Sequence, residues 1–138
     1  MINIYTFESL HQGPRLLVLG AVHGNEICGP IAIKRWIEKF ASGAVAPKTG
    51  RVTFIPVCNP EAHARDVRYV NWNLNRDLRV KDQPKNDEDR IGNILCRYLA
   101  DCDVLLDIHS YTAGGPPVLV CEQKTEAALA YAKALGIE

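Results

Sequence analysis

Three strand-length segments rich in apolar residues, at 16–22, 52–57 and 104–109, constrain this chain more than any other feature, and the first of them is unbroken. A strand with one wet face alternates apolar and polar residues, whereas an unbroken run belongs to a strand covered on both faces. Such strands need helices above and below, and the intervening sequence supplies them. Residues 27–41 set Ile33, Trp36, Ile37 and Phe40 at helical spacing, with Pro30 tolerable in the first turn. A second helix begins near Asn86 or Asp87, either of which can cap it, and turns Ile91, Ile94, Leu95, Tyr98 and Leu99 toward the core. Asn59-Pro60 ends the second strand, because proline cannot continue a ladder. Beyond the third strand come a Gly-Gly-Pro-Pro turn at 114–117 and a short strand at 118–121. A last helix starts at Thr125, carries Ala128, Tyr131, Ala132 and Leu135 on one face, and is closed by Gly136. The alternation predicts an α/β protein: a three-layer α/β/α sandwich with a largely parallel central sheet. Residues 61–86 keep no period, and a connection of that length inside a compact domain is often functional.

The 138 residues fit a single domain, 1–138. Lys+Arg and Asp+Glu both number 16, so net charge gives no support for nucleic acid or a membrane surface as partner, and neither is expected. No apolar run approaches the roughly 20 residues that span a bilayer, and the start Met1-Ile2-Asn3-Ile4-Tyr5 lacks the features of a signal peptide. Cysteines 28, 58, 96, 102 and 121 are odd in number and lack C-x-x-C spacing; three lie in apolar patterns. Free thiols in a reducing compartment account for them, so a cytoplasmic protein is expected.

The chemistry gathers where strands end. The first run is followed by His23-Gly24-Asn25-Glu26, and the third closes in Asp107-Ile108-His109-Ser110. Ligands of open α/β sheets bind at the carboxyl ends of the strands. Two imidazoles and a carboxylate, with a fourth position open, form the ligand set of a catalytic zinc. Taken alone, H-x-x-E is equally a turn histidine and a carboxylate favoured by a helix N-terminus. Two imidazoles ending buried strands shift the balance to a metal, because burying either without a partner is costly. Asp107 shares a strand face with His109 and either orients that imidazole or serves as a cap partner. His11 reads as a turn residue, and His63, near Asn59-Pro60, as a surface residue that could instead face the pocket. The run from Arg68 to Arg76 (R-Y-V-N-W-N-L-N-R) suits a carboxylate pocket, since an arginine fork meets a carboxylate through paired hydrogen bonds. Spacing does not choose between Arg65 and Arg68. Arg76 could instead pair with Asp77 or Asp82, Asn75 could set a turn, and Asn71 and Asn73 could mark the polar side of an extended segment. Ser110 could touch substrate beside His109 but reads rather as a plain strand-end serine.

In this order, H-G-N-E, Asn59-Pro60, R-Y-x-x-x-x-L-N-R and D-I-H-S resemble the succinylglutamate desuccinylase/aspartoacylase family of the zinc carboxypeptidase superfamily. The resemblance runs from about Leu16 to Cys121. It implies a zinc carboxypeptidase-like fold in which His23, Glu26 and His109 hold one zinc ion per chain. Asn75 and Arg76 would bind the carboxylate of a small-molecule N-acyl amino acid, and Arg68 would polarise the scissile carbonyl. The implied activity is hydrolysis of that substrate's amide bond, with a carboxypeptidase on short peptides as the near alternative. The family's general-base glutamate lies on a later strand, and neither Glu122, Glu126 nor Glu138 matches its position. The resemblance thus implies a domain truncated at its C-terminal end, and a non-catalytic metal-binding fragment is the remaining alternative.

Overall fold

Leucine and valine alternate faces along the strand β2 (Arg15–Gly20), and both faces are covered. The structure is a computed structural model that describes residues 1–111 and 125–136; the turn expected at 114–117 and the strand expected at 118–121 lie outside the described residues. The described elements run β1 (Tyr5–Glu8), β2, α1 (Cys28–Ala41), β3 (Arg51–Ile55), α2 (Pro60–Ala64), α3 (Asp87–Ala100), β4 (Val104–Ile108) and α4 (Glu126–Ala134). On one face of the sheet Val18, Val52 and Phe54 bury Ile33 of α1, with Ile37 and Phe40 packed alongside. On the other, Leu17, Leu19 and Ile55 pack with Leu95 of α3, and Ile91, Tyr98 and Leu99 close around them. The three layers expected from the apolar runs are therefore present. Trp36 is a correction: 47% exposed, it lies at the margin of α1 beside Phe40 and beneath the ammonium of Lys39 rather than in the core.

The four-stranded sheet has the order β1-β3-β2-β4. β2 pairs in parallel with both β3 and β4, whereas β1 runs antiparallel along β3. The chain leaves β2 through α1 to reach β3 on one side. It then returns through α3, on the opposite face, to lay β4 on β2's other side. The winding reverses between β2 and β4, and such a reversal opens a crevice at the strand ends. The register sets Gly20 against Ile108, so His23 and His109 emerge on either side of that crevice.

At the opposite end of the sheet, Arg15 bridges Asp101 (2.8 Å) and Asp103 (2.7 Å), and Arg51 also pairs with Asp101. The Arg15 side chain and backbone N–H hold the Asp103 carboxyl down at about 2, below its ordinary 3.8. A depressed carboxyl stabilises the fold above its unfolded value and loses that contribution as pH falls toward its folded one. Urea midpoints taken between pH 4 and pH 2 should therefore fall less steeply in Asp103→Asn than in the parent; equal slopes would remove Asp103 from the acid response.

The aperiodic stretch 61–86 is ordered by side chains gripping backbone. Asn59 caps the short helix α2, its side chain accepting from the Ala62 N–H, with Pro60 at the first helical position. Asn86 caps α3 by accepting from Asp89 N–H at 2.9 Å. Asp89 accepts from Lys81 Nζ (2.7 Å) and Lys85 N–H (2.9 Å), while Asn93 grips both backbone groups of Lys81. Lys81 also lies over the Trp72 ring, 3.7 Å from its centroid. Farther on, Thr125 caps α4 through the Ala128 N–H, and Gly136 follows it with φ +66°, as its sequence signals predict.

Candidate metal centre

Past the end of β2 the chain turns sharply. Ala21 adopts φ +45°, an uncommon conformation for a residue with a side chain, and is held there because its carbonyl accepts from Asn59 N–H at 3.0 Å. Gly24 then passes so close to α2 that a Cβ on it would lie 2.2 Å from the Ala62 carbonyl carbon. Two further bonds fix this turn: Gly24 N–H donates to Arg68 O (3.1 Å), and His63 Nδ1–H donates to Gly24 O (2.7 Å). His63 is thus a brace for the turn, neither the surface residue nor the pocket-facing one its context suggested.

The turn presents Glu26, buried at the centre of a four-part cluster. Its Oε1 faces His23 Nδ1 at 2.8 Å and accepts from Arg68 at 3.0 Å. Its Oε2 faces His109 Nδ1 at 2.9 Å and accepts from Ser110 N–H at 2.9 Å. Ser110 therefore contributes its backbone. One ligand atom from each of His23, Glu26 and His109 lies within 4.8 Å of the others, the spacing of a shared ion. Burial alone would raise the Glu26 carboxyl, but the Ser110 N–H and the hydrogen bond and charge of the His109 imidazole outweigh it and hold the carboxyl below its ordinary value, so it stays ionised. His109 is raised to about 9, first by its hydrogen bond to Asp107 (2.8 Å) and, against the cost of burial, by Glu26. Without a metal it is an imidazolium strung between two carboxylates.

His23 behaves differently, and its environment tests whether a cation fits. Burial drives its pKa down, so it is neutral and carries one ring proton. Its Nε2 faces Asn73 Oδ1 at 3.0 Å, and the same Oδ1 accepts from Asn75 N–H at 2.9 Å. A backbone N–H can only donate, which identifies that atom of Asn73 as the oxygen and assigns the His23 proton to Nε2. His23 Nδ1 then directs a lone pair at an ionised carboxylate oxygen with no proton between them. Two acceptors in contact repel, and a cation accepted by both relieves the repulsion. The donor set of imidazole nitrogens and one carboxylate suits zinc, and Asn73 and Asp107 hold the outer nitrogens as such sites require.

Asn73 went unrecognised in the sequence, where it reads as one polar residue among several. Its only local signal is its place two residues before Asn75. Removing an outer partner of a ligating imidazole typically weakens metal binding about 10–100-fold. Asn73→Ala should therefore lose zinc affinity in a chelator competition by roughly tenfold, whereas Asn73→Asp, which keeps the acceptor, should not. Equal affinity in all three proteins would sever Asn73 from the site.

The remaining candidates separate cleanly. Arg65 pairs with Glu61 on the surface of α2, so of the two arginines only Arg68 reaches the cluster. Asn75 and Arg76 lie exposed in the turn that follows Asn73, where Arg76 N–H donates to Asn73 O at 3.0 Å. Asp77 is taken by Arg79, and among the described residues Arg76 has no carboxylate partner, its guanidinium meeting only Asn75 O. His11 is exposed and sits in a turn, its N–H donating to Ser9 Oγ at 3.1 Å.

With this geometry in view, comparison with known proteins is specific. A family model described as the succinylglutamate desuccinylase/aspartoacylase catalytic domain matches residues 12–138. A probable aspartoacylase of Parasynechococcus marenigrum is 32% identical over 125 residues, covering 85% of this chain and 40% of the relative. A succinylglutamate desuccinylase of Pseudomonas aeruginosa is 41% identical over 65 residues, 47% of this chain and 19% of that protein. The crystal structure of an aspartoacylase family protein from Mesorhizobium loti superposes with a TM-score of 0.68 at 30% identity, covering 78% of this chain and 34% of that one. The chain thus spans about two fifths or less of the length of these relatives.

Proposed function

The chain belongs to the succinylglutamate desuccinylase/aspartoacylase family, and from that premise we propose that it is a zinc-dependent hydrolase of the amide bond in a small N-acyl amino acid. The observation that carries the reading is the convergence of His23, Glu26 and His109 on one point, with His23 facing an ionised carboxylate across an unprotonated contact. These three residues would hold the ion. A bound zinc ion supplies Lewis acidity toward the carbonyl and activates water for attack.

The chain's own residues do the rest. Asp107 and Asn73 keep each imidazole's outer nitrogen engaged, so that the inner nitrogens stay turned to Glu26. Arg68 is half exposed and uses one of its five donors on Glu26. Its other N–H groups are available to polarise the scissile carbonyl and to meet the charge that develops on its oxygen. Asn75 and Arg76 bind the carboxylate of the amino-acid portion, with Arg76 offering its fork. Among the described residues we assign none the role of general base.

The same reading takes the protein as cytoplasmic and its partner as a small molecule. Among the described residues no helix is long and apolar enough to cross a membrane, and Cys28, Cys58, Cys96 and Cys102 are free thiols. Burial pushes the Cys58 thiol well above its ordinary value, which keeps it unreactive.

The test is turnover of a panel of N-acyl amino acids by the zinc-loaded chain, repeated after chelation. Hydrolysis that a chelator abolishes and zinc restores is the expected outcome. Hydrolysis confined to short peptides would replace the deacylase with a carboxypeptidase. Zinc retention without turnover on either substrate class would leave a metal-binding domain and overturn the enzymatic reading.

A further inference from the structure

Glu88 is a fully ordinary helix residue by sequence, in the first turn of α3, where an acidic side chain favours the helix dipole from the surface. In the structure it is 1% exposed and points away from solvent. Its carboxylate accepts four hydrogen bonds. Val70 N–H (2.7 Å) and Asn59 Nδ2 (2.8 Å) donate to Oε1, while Asn71 N–H (2.6 Å) and Trp72 N–H (2.8 Å) donate to Oε2. Three consecutive amides and one side-chain amide thus enclose a single anion. Burying a carboxylate is costly unless its oxygens are satisfied this fully, so the position of the four donors and the position of the carboxylate determine each other.

Two chains of contact lead from Glu88 to the same histidine turn. One runs along the backbone: residues 70–72 are clamped, and the next residue, Asn73, holds His23 Nε2 and the Asn75 N–H. The other runs through Asn59, which donates to Glu88, caps α2 through Ala62 N–H (3.3 Å) and donates its own N–H to Ala21 O (3.0 Å). The helix it caps carries His63, which grips Gly24 O. The metal ligand His23 is therefore approached from both sides by elements anchored on one carboxylate. The arm that bears Asn75 and Arg76 is continuous with the first of them.

We propose that Glu88 is a positioning residue that sets the spacing between the metal turn at 23–26 and the carboxylate-binding arm at 73–76. Glu88 touches neither ion nor substrate; it acts through Asn73 on one route and through Asn59 and His63 on the other. The meaning given to the arm rests on the deacylase reading above, but the coupling of Glu88 to the histidine turn does not.

The experiment compares Glu88→Gln with Asp103→Asn, which disturbs the ion-pair cluster at the far end of the sheet and serves as a control for a general loss of stability. The glutamine keeps the shape but offers one acceptor oxygen, and its NH₂ faces N–H groups that cannot accept. In the metal-free protein, ¹H–¹⁵N spectra of Glu88→Gln should show shifted Gly24 and Asn75 amides and a shifted His23 ring resonance. Asp103→Asn should leave all three in place. Chelator competition should give Glu88→Gln a zinc affinity tenfold or more below that of Asp103→Asn, and succinate binding to the zinc-loaded protein should weaken by as much.

Unshifted Gly24, Asn75 and His23 signals in Glu88→Gln overturn the proposal. So does a zinc affinity equal to the control's. A parent protein that binds zinc but not succinate overturns the deacylase reading, while the spectra still decide the coupling. If Glu88→Gln fails to fold, the same spectra and zinc competition are taken on Asn59→Ala, which removes one of the four donors. Shifts at Gly24 and His23 with a threefold or greater loss of zinc affinity are then expected, and their absence overturns the proposal.

Discussion

Glu26→Gln is expected to lose zinc affinity by on the order of a hundredfold or more. Four-ligand zinc sites are worth about 10–16 kcal/mol, so each ligand accounts for roughly 3 kcal/mol, and every 1.4 kcal/mol is tenfold in affinity. Glutamine is close to isosteric but brings one oxygen where Glu26 uses two, one toward His23 and Arg68 and the other toward His109 and Ser110. It also removes the negative charge that lies between the His109 imidazolium and the Arg68 guanidinium. The two apolar clusters on the sheet faces do not include Glu26, so the fold should survive. Competition against a chromogenic chelator, with circular dichroism as the check on folding, reads both effects. A folded Glu26→Gln that binds zinc like the parent would remove Glu26 from the ligand set and the zinc hydrolase reading with it.

Gly24→Ala should be nearly as damaging, for a steric reason. The added carbon would sit 2.2 Å from the Ala62 carbonyl carbon and 2.4 Å from the His63 nitrogen, and both are backbone atoms of a capped helix that cannot rotate away. Overpacking typically costs about 1–3 kcal/mol and sometimes more; a clash against backbone belongs at the top of that range. The shift needed to relieve it separates Gly24 O from His63 and Gly24 N–H from Arg68. We expect a loss of about 3 kcal/mol in urea denaturation, with weakened zinc binding in whatever remains folded. Parent-like stability would mean that α2 is free to move away from the turn, and the brace described for His63 would have no force.

The parts of the fold legible in the sequence are those whose environment is uniform along the element. β2 is apolar on both faces, β3 and β4 are largely apolar with Thr53 and Asp107 interrupting them, and α1 and α3 repeat at helical spacing, so each announces itself without knowledge of its neighbours. β1 did not: an edge strand with three of its four residues exposed carries no apolar run. α2 was missed although Asn59-Pro60 is a cap followed by proline at the first helical position, because the same pair also ends a strand and was read only that way. Among the proposed site residues, His23, Glu26 and His109 were visible as ligand types at strand ends, and Arg68, Asn75 and Arg76 through a family pattern. Asn73, His63 and Glu88 were not. Their importance lies in what they touch, a ring nitrogen, a carbonyl and three amides, each distant in sequence or belonging to the backbone. A carboxylate in the first turn of a helix carries no mark that distinguishes the surface residue from the buried anchor.

The sheet order also dictates a chronology. His109 joins Glu26 across 83 residues, and that contact requires β4 docked on β2, whose other edge is held by β3. Contacts separated so far along the chain are late to form, because the loop between them must be closed before they contribute. A nascent chain that has made β2, α1 and β3 holds His23 and Glu26 but lacks the third residue of the proposed ligand set. On the proposed metal reading, tight capture of an ion waits until β4 has docked on β2, and metal uptake is expected to report completed assembly rather than guide it.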